Sequence, residues 1–216
     1  MSELPYGNRP LKRLIVAPHA DDEALGCGGL LAKYRTECAV VVLAAPDDVR
    51  AKEFDAAQLL LGYRESLCLG LTDGYIGTDM HHLVGQLDVV VRRLQPQFLY
   101  LPYPSVHQDH VAAYEAGVRT ARMSMNANHW FTPSVLVYDV AAYDVNLYPT
   151  DLRWNYFEVL TEAQVDAKVG AIALYASQKM VGPHPANSVK QAALSLGGAR
   201  RVQYAEQYAL VRQVQS

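Results

Sequence analysis

The segment Cys38–Ala44, which reads CAVVVLA, is apolar at every position and restricts the fold more than any other part of the chain. A strand that is apolar on both sides has to lie in a sheet that is covered on both faces, and such sheets are usually parallel. Shorter apolar runs recur along the chain, and segments with the periodicity of amphipathic helices separate them. The alternation predicts strands that are joined by helical crossovers.

The pattern therefore predicts an α/β fold with a doubly wound, mostly parallel sheet and helices on both faces, which is a Rossmann-like arrangement. Strands are expected at residues 12–17, 38–44, 66–69, 98–101 and 134–138, and helices at residues 24–34, 80–94 and 111–123. A further helix is expected between a cap at Asp47 or Asp48 and a stop at Gly62.

The C-terminal third is expected to be irregular. It contains candidate helices at residues 161–174, with Thr161 as the cap, and 190–196, and candidate strands at residues 156–159 and 208–212. No linker-like segment divides the 216 residues, so we expect residues 1–216 to form a single domain.

The charge of the chain argues against several classes of partner. Nineteen basic and 22 acidic residues give a net charge of −3, and no basic run is longer than a pair such as Arg200-Arg201. Neither a nucleic acid nor an anionic membrane is an expected partner, because both bind to clustered positive charge. The sequence leaves the assembly of a homo-oligomer open.

Cysteine usage and the N-terminal residues indicate a cytoplasmic protein. Cys27, Cys38 and Cys68 are odd in number and lie in apolar surroundings, which predicts buried, reduced thiols. The first apolar run, at residues 14–17, is too short for a signal peptide or a membrane span.

A dense group of potential metal ligands, His19-Ala20-Asp21-Asp22-Glu23, follows directly on the first predicted strand. Doubly wound sheets bind ligands beyond the carboxyl ends of their strands. Imidazole and carboxylate groups suit zinc or ferrous iron. Neighbouring side chains diverge at such a turn, so we expect one aspartate to bind a metal ion and the other to accept a proton. In the structural alternative, an aspartate only caps the next helix and His19 packs beside it.

Nucleotide binding is a competing interpretation of the same region, because Gly26, Gly28 and Gly29 follow a strand. The dinucleotide-binding pattern needs its glycines in the turn itself, whereas charged residues fill this turn and the third glycine is missing. We expect these glycines to let the helix approach the sheet closely instead.

A second group, His107-Gln108-Asp109-His110, follows the fourth predicted strand. The first and fourth strands are neighbours in a doubly wound sheet, so the two groups are expected to meet. His19, His110 and one aspartate would then form a two-histidine, one-carboxylate set, which leaves a coordination position open as in catalytic zinc sites. Asp109 is expected to orient an imidazole by hydrogen bonding.

The motifs His19-x-Asp21-Asp22-Glu23 and His107-x-Asp109-His110 resemble the two signatures of the LmbE-like, or PIG-L, family of zinc N-deacetylases. One departure is Ala20, where the family usually has proline. Weaker similarities extend over nearly the whole chain: Arg50-x-x-Glu53-x-x-x-Ala57 with Leu61-Gly62, Leu71-Thr72-Asp73-Gly74, Lys168 to Gln178, and Tyr204-Ala205-Glu206-Gln207-Tyr208.

The resemblance implies an enzyme that removes an acyl group, most often acetyl, from the nitrogen of an amino sugar. It implies that His19, Asp22 and His110 bind zinc (Zn2+), with ferrous iron (Fe2+) as the alternative ion. It further implies that Asp21 is the general base. His107, oriented by Asp109, is the candidate for stabilising the oxyanion and protonating the leaving amine.

Two further residues are candidates for substrate binding, and each has a structural alternative. Arg50 is expected to hold the departing carboxylate or a sugar hydroxyl, or else to be an exposed helix arginine. Asp73 is expected to bind sugar hydroxyls, or else to form a turn.

Two other classes of function remain open. A ferrous oxygenase also uses two histidines and one carboxylate, although the surplus aspartate favours hydrolysis. A non-catalytic sugar- or nucleotide-binding module is the other alternative, although it has no use for Asp21 as a base.

Overall fold

The computed structural model describes residues 11–140, 149–178 and 185–214, in which strands and helices alternate along most of the chain. The strands are β1 (Arg13–Ala17), β2 (Cys38–Ala44), β3 (Glu65–Leu71), β4 (Phe98–Pro102), β5 (Ser134–Tyr138), β6 (Trp154–Leu160) and β7 (Tyr204–Gln213). The helices are α1 (Asp22–Tyr34), α2 (Asp48–Leu61), α3 (Met80–Leu94), α4 (Gln108–Thr120), α5 (Glu162–Leu174) and α6 (Pro185–Gly198). A short 3₁₀ turn at Arg35–Glu37 follows α1.

Within these ranges the strands form one sheet in the order β3-β2-β1-β4-β5-β7-β6. The first five strands of this order pair in parallel, and β7 pairs antiparallel with both β5 and β6. The mostly parallel, doubly wound sheet is therefore confirmed. The crossover changes direction between β1 and β4, which is where such sheets open a crevice for ligands.

The core lies on both faces of the sheet, as the apolar sequence of β2 requires. Val40 and Val42 pack into the cluster beneath α1, α2, α5 and α6, whereas Val41 and Leu43 pack into the cluster beneath α3 and α4. Side chains of a strand alternate between the two faces, so each face of β2 is buried against a different helical layer.

Close contacts explain the glycines of α1. A Cβ atom on Gly26 would overlap the ring of Tyr138 in β5, and one on Gly28 would come within 2.7 Å of Cγ of Lys168 in α5. The helix therefore lies closer to its neighbours than any larger residue would allow. This confirms the predicted close approach to the sheet at Gly26, whereas Gly28 allows close approach to helix α5 instead.

Several predicted boundaries agree with the structure, and the helix termini show why. β2, α3 and β5 have the predicted limits. The side chain of Asp47 caps α2 by accepting from the N–H groups of Val49 and Arg50, and Gly62 ends the helix with a left-handed φ of 78°. α4 begins at Gln108, earlier than predicted, because His107 occupies the N-cap position and its Nδ1 accepts the N–H of Asp109.

The C-terminal third is more regular than the sequence indicates. Its described residues form β6, α5, α6 and β7, and Thr161 caps α5 in a capping box with Gln164. The two strands are hard to recognise because each contains a buried glutamate, Glu158 or Glu206. Each of these carboxylates is paired with a lysine from a helix, at Lys33 or Lys168, which offsets the cost of burial.

One cysteine departs from the expected burial. Cys27 and Cys38 are buried, but Cys68 is exposed, because β3 is the edge strand of the sheet. The three thiols are free. In the described parts of the chain, no helix combines the length and the apolar character that crossing a bilayer requires.

Candidate metal centre

Two imidazole nitrogens converge on one carboxylate oxygen at the carboxyl ends of β1 and β4. Nδ1 of His19 lies 3.3 Å from Oδ2 of Asp22, and Nε2 of His110 lies 3.4 Å from the same oxygen. All three residues are buried. Candidate ligand atoms from the three lie within 4.8 Å of one another, so one ion can contact all of them.

The local chain path brings these ligands together. His19 lies just beyond β1, and its backbone N–H donates to Oδ2 of Asp22 at 3.0 Å. Asp22 is the first residue of α1, and His110 lies in the first turn of α4. Because β1 and β4 are adjacent, the loops that follow them meet, as the sequence predicts.

Asp21 lies between the candidate ligands His19 and Asp22 in sequence and has an unusual backbone. Its φ of 142° is one that residues with side chains rarely adopt, and strain of this kind is concentrated at functional sites. Asp21 occupies the N-cap position of α1, yet its side chain makes no capping hydrogen bond there. The structural alternative, in which this aspartate is a helix cap, is therefore wrong for Asp21.

The surroundings of Asp21 favour the protonated form of its carboxyl group. Burial is the largest cause and the charge of Asp22 adds to it, so the pKa of Asp21 lies well above its ordinary value, although Arg50 acts in the opposite direction. A carboxyl group with a raised pKa next to a ligand cluster is suited to exchanging a proton with substrate or water.

Asp109 contacts His19 on the side of the ring away from Asp22. Its Oδ2 lies 3.0 Å from Nε2 of His19 and accepts the N–H of Gly74 at 2.7 Å, while its Oδ1 accepts the N–H of Ile76 at 3.3 Å. A carboxylate in this position fixes the orientation of a metal-binding imidazole. The sequence indicated that Asp109 orients an imidazole, and the structure shows a carboxylate contact with His19.

The link between Asp109 and His107 runs through the backbone. The N–H of Asp109 donates to Nδ1 of His107 at 3.2 Å, so a neutral His107 ring carries its proton on Nε2. The ring centroid of His107 lies 5.0 Å from that of His19 and 5.5 Å from that of His110. His107, His19 and Asp109 also form an overlapping group with metal-ligand spacing, but the Asp109 carboxylate already accepts two backbone N–H groups.

Arg50 and Asp73 line a cavity of about 220 Å³ that opens onto His19. Arg50 is half-buried in the first turn of α2. The side chain of Asp73 is 64% exposed, and its Oδ1 lies 3.1 Å from Nε2 of His19. The structure therefore brings both candidate substrate-binding residues to the cavity beside the cluster.

The charges of the site suit a bound cation. Burial opposes the ionisation of Asp22, but His110 and His19 hold its pKa below the ordinary value. Burial also opposes a charge on His19, yet Asp22 and Asp109 raise its pKa to about 9. The groups that meet here are three imidazoles and four carboxylates: His19, His107, His110, Asp21, Asp22, Asp73 and Asp109. Nitrogen and oxygen donors with an excess of carboxylates fit zinc or ferrous iron.

Contacts from the C-terminal third reach this region, and no pattern in the sequence predicts them. The hydroxyl of Tyr175 donates to Oε1 of Glu23 at 2.5 Å. The N–H and Oγ of Ser177 donate to the carboxylate of Glu53 in α2, at 2.8 and 2.5 Å. Glu53, Tyr175 and Ser177 lie in segments that resemble the family's weaker motifs, but nothing in the sequence pairs residues so far apart.

The chain is similar in sequence and in fold to known proteins. The model of the GlcNAc-PI de-N-acetylase family, PIG-L, matches residues 14–121, half of the chain, which include both histidine-aspartate motifs. A comparison with curated protein sequences gave no significant match.

Solved structures share the fold over nearly the full length. The conserved protein TT1542 from Thermus thermophilus is 27% identical, with a TM-score of 0.78, and the alignment covers 95% of this chain and 97% of that one. The N,N′-diacetylchitobiose deacetylase from Pyrococcus horikoshii is 19% identical, with a TM-score of 0.71, and the alignment covers 94% of this chain and 84% of that one. GalB, the 4-carboxy-2-hydroxymuconate hydratase from Pseudomonas putida, is 21% identical, with a TM-score of 0.74, and the alignment covers 95% of this chain and 98% of that one.

The family match, the doubly wound sheet and the two motifs that meet at its crevice lead to one conclusion. This chain belongs to the GlcNAc-PI de-N-acetylase, or PIG-L, family.

Proposed function

We propose that this protein is a metal-dependent amidohydrolase that removes an N-acetyl group from an amino sugar or an amino-sugar conjugate. The observation that carries the proposal is the convergence of His19 and His110 on one oxygen of Asp22, with the carboxyl group of Asp21 beside them. Family membership supports it, as do structural neighbours described as deacetylases of N,N′-diacetylchitobiose and of the A40926 pseudoaglycone.

The residues that would hold the ion are His19, Asp22 and His110. Zinc is the proposed ion and ferrous iron the alternative, because both accept two imidazoles and one carboxylate. When bound, such an ion polarises a carbonyl group and lowers the pKa of water to near 7. Asp109 keeps the ring of His19 in place through its contact with Nε2.

Asp21 acts as the general base in this proposal. It takes a proton from the attacking water while the water oxygen forms a bond to the amide carbon. Its neighbour Asp22 is engaged with the two imidazoles, which leaves the two adjacent aspartates with different tasks. Base catalysis of this type contributes about 10²- to 10⁴-fold.

His107 stabilises the oxyanion in this proposal through its Nε2–H, and the proton that Asp21 takes from the water passes to the leaving nitrogen. A neutral His107 cannot supply that proton, because loss of its single ring proton would leave an imidazolate anion. Because its Nδ1 accepts the N–H of Asp109, the neutral ring presents its N–H at Nε2. An amine leaves an amide only after protonation, so a proton donor is required when the carbon–nitrogen bond breaks. The products are acetate and the free amine.

The cavity beside His19 is the proposed binding site for the sugar. Its polar lining includes Arg50 and Asp73, a cation and a carboxylate that suit hydroxyl groups and the departing acetate. An N-acetylated small molecule is therefore the proposed substrate class.

The decisive experiment is a screen of N-acetylated amino sugars and their conjugates, with released amine, acetate and bound metal measured on the same sample. We expect equal amounts of amine and acetate from at least one substrate, in proportion to the bound metal. Ligand binding without acetate release would support a binding module, and a requirement for oxygen would support an oxygenase.

The same fold occurs in a hydratase, so the screen includes an unsaturated carboxylic acid. Addition of water to this compound, with no release of acetate from any amide, would overturn the proposed deacetylation.

A further inference from the structure

A buried chain of hydrogen bonds runs from the C-terminal third of the protein to the backbone of Asp21. The hydroxyl of Tyr175 donates to Oε1 of Glu23 at 2.5 Å, and Oε2 of Glu23 accepts the backbone N–H of Asp21 at 3.0 Å. Glu23 is fully buried and Tyr175 is 3% exposed. Both oxygens of this carboxylate are therefore engaged, one by the tyrosine and the other by the backbone of Asp21, which lies between His19 and Asp22.

The conformation of Asp21 requires support of this kind. Its φ of 142° is unfavourable for a residue with a side chain, and such a conformation persists only where the surroundings hold it. The backbone oxygen of Asp21 accepts the N–H groups of Ala24 and Leu25 at 3.0 and 2.9 Å. Glu23 holds the N–H on the other side of the residue, so both polar groups of the Asp21 backbone are bonded.

The far end of the chain is itself anchored. Tyr175 follows α5, and the next residues are fixed to α2, because Ser177 donates twice to the carboxylate of Glu53. The segment that carries Tyr175 is therefore anchored by α5 on one side and by the contact with α2 on the other. A carboxylate on its own in this core would have several rotamers, whereas one bonded at both oxygens has a single orientation.

We propose that Glu23 and Tyr175 are positioning residues for Asp21: Tyr175 fixes the carboxylate of Glu23, and Glu23 holds the strained backbone that presents the carboxyl group of Asp21 to the reacting water. The inference rests on the proposed function, because it assigns a purpose to the position of the proposed base. It also gives the C-terminal third a part in a site whose other residues come from α2 and from the segments that follow β1, β3 and β4.

The experiment compares Tyr175→Phe, Glu23→Met and Glu23→Gln with the wild-type protein, all loaded with zinc. Tyr208→Phe is the matched control, because the Tyr208 hydroxyl also donates to a buried carboxylate, Oε2 of Glu206 at 2.9 Å, away from Asp21. The measurements are kcat and KM for the substrate found in the screen, zinc content, and hydrogen–deuterium exchange at the amide of Asp21.

We expect a loss of kcat of about 10-fold in Tyr175→Phe and about 100-fold in Glu23→Met, with KM and zinc content little changed, because a misplaced catalytic group slows the chemical step. Exchange at the Asp21 amide becomes faster in both variants. In Glu23→Gln the side-chain carbonyl still accepts the N–H of Asp21, so this variant keeps most of the kcat that Glu23→Met loses. Tyr208→Phe keeps the wild-type kcat and exchange at Asp21.

Unchanged kcat and unchanged exchange at Asp21 in Tyr175→Phe and Glu23→Met would overturn the inference while the wild-type enzyme still releases acetate. Equal losses in Tyr208→Phe, or no recovery in Glu23→Gln, would also overturn it. Absence of acetate release from the wild-type protein would count against the proposed function alone, because amide exchange at Asp21 tests the positioning without any substrate.

Discussion

Oδ2 of Asp109 lies 3.0 Å from Nε2 of His19, and 90 positions separate the two residues in sequence. The contact joins the loop after β1 to the first turn of α4. Because the same carboxylate also accepts the N–H groups of Gly74 and Ile76, it ties the imidazole of His19 to the loop that carries Asp73.

Replacing Asp109 with alanine should weaken zinc binding about 10- to 100-fold, because the imidazole of His19 loses the partner that fixes its orientation. Titration with a zinc-sensitive dye measures the change. Asp79→Ala is the control, since Asp79 only caps α3 by accepting the N–H of His82. Equal zinc affinity in the two variants would contradict the role of Asp109.

Asp21→Asn and His110→Ala should separate the two tasks of the site. Asp21→Asn should retain zinc and lose about 10²- to 10⁴-fold in kcat, because asparagine cannot accept the proton. His110→Ala should lose zinc as well as activity, because it removes one of the three converging ligands. Metal analysis after gel filtration, with kinetics on the same samples, distinguishes them. Similar zinc loss in both variants would refute the assigned division of roles.

Removal of the metal should inactivate the protein reversibly. Incubation with a strong chelator should abolish release of acetate, and added zinc should restore it. The ion also binds only the folded site, so thermal stability should rise with zinc concentration. Full activity in metal-free protein would exclude the proposed chemistry. The control for the stability measurement is His110→Ala, whose melting temperature should respond only weakly to zinc.

The buried pair of Lys168 and Glu206 should be a major determinant of stability. Glu206 binds Nζ of Lys168 at 2.7 Å and accepts the N–H groups of Gly29 and Leu30 in α1. Lys168→Met leaves that carboxylate buried without its cation, which should cost about 3 kcal/mol and lower the melting temperature by roughly 6–12 °C.

The control for Lys168→Met is Arg122→Met, which removes a surface pair with Asp88 and should cost no more than about 1 kcal/mol. Urea unfolding of both variants measures the difference. An equal loss of unfolding free energy in the two variants would show that the buried Lys168 pair stabilises the fold no more than the surface pair does.

Asp139→Asn should change how stability depends on pH. Burial raises the pKa of Asp139 above its ordinary value, with Gln207 and Lys168 acting in the opposite direction. A carboxyl group whose pKa is raised by folding stabilises the folded state while it is protonated, and this contribution is lost as the pH rises through the folded-state pKa. Asparagine cannot ionise, so the free energy of unfolding of the variant should increase relative to that of the wild-type protein as the pH rises from acid to neutral.

Urea unfolding of Asp139→Asn and the wild-type protein at a series of pH values gives this difference directly. A difference in the free energy of unfolding that is constant with pH would contradict the prediction.

Much of the site could be predicted because its residues are close together in two short motifs. His19, Asp21 and Asp22 lie within one turn, and the apolar strands identify where that turn lies in the sheet. A doubly wound sheet then predicts that this turn meets His107 and His110. The predicted split between the two adjacent aspartates also follows from local geometry, because consecutive residues at a turn cannot point the same way.

Long-range polar contacts could not be predicted in the same way. The bonds of Glu23 with Tyr175 and of Glu53 with Ser177 join residues that are far apart in sequence, and neither pair has a local pattern. The regular structure of β7 was also hard to recognise, because Glu206 interrupts its apolar pattern and only the distant Lys168 explains the buried charge.

The sequence by itself determined the alternation of strands and helices and the place of the ligand-bearing turns, because side-chain periodicity and metal-ligand chemistry act over a few residues. Tertiary structure alone decided which carboxylate touches which imidazole and how the last third of the chain reaches Asp21. These contacts depend on how the helices lie against the sheet, and that arrangement is set by the packing of the whole core rather than by any local segment.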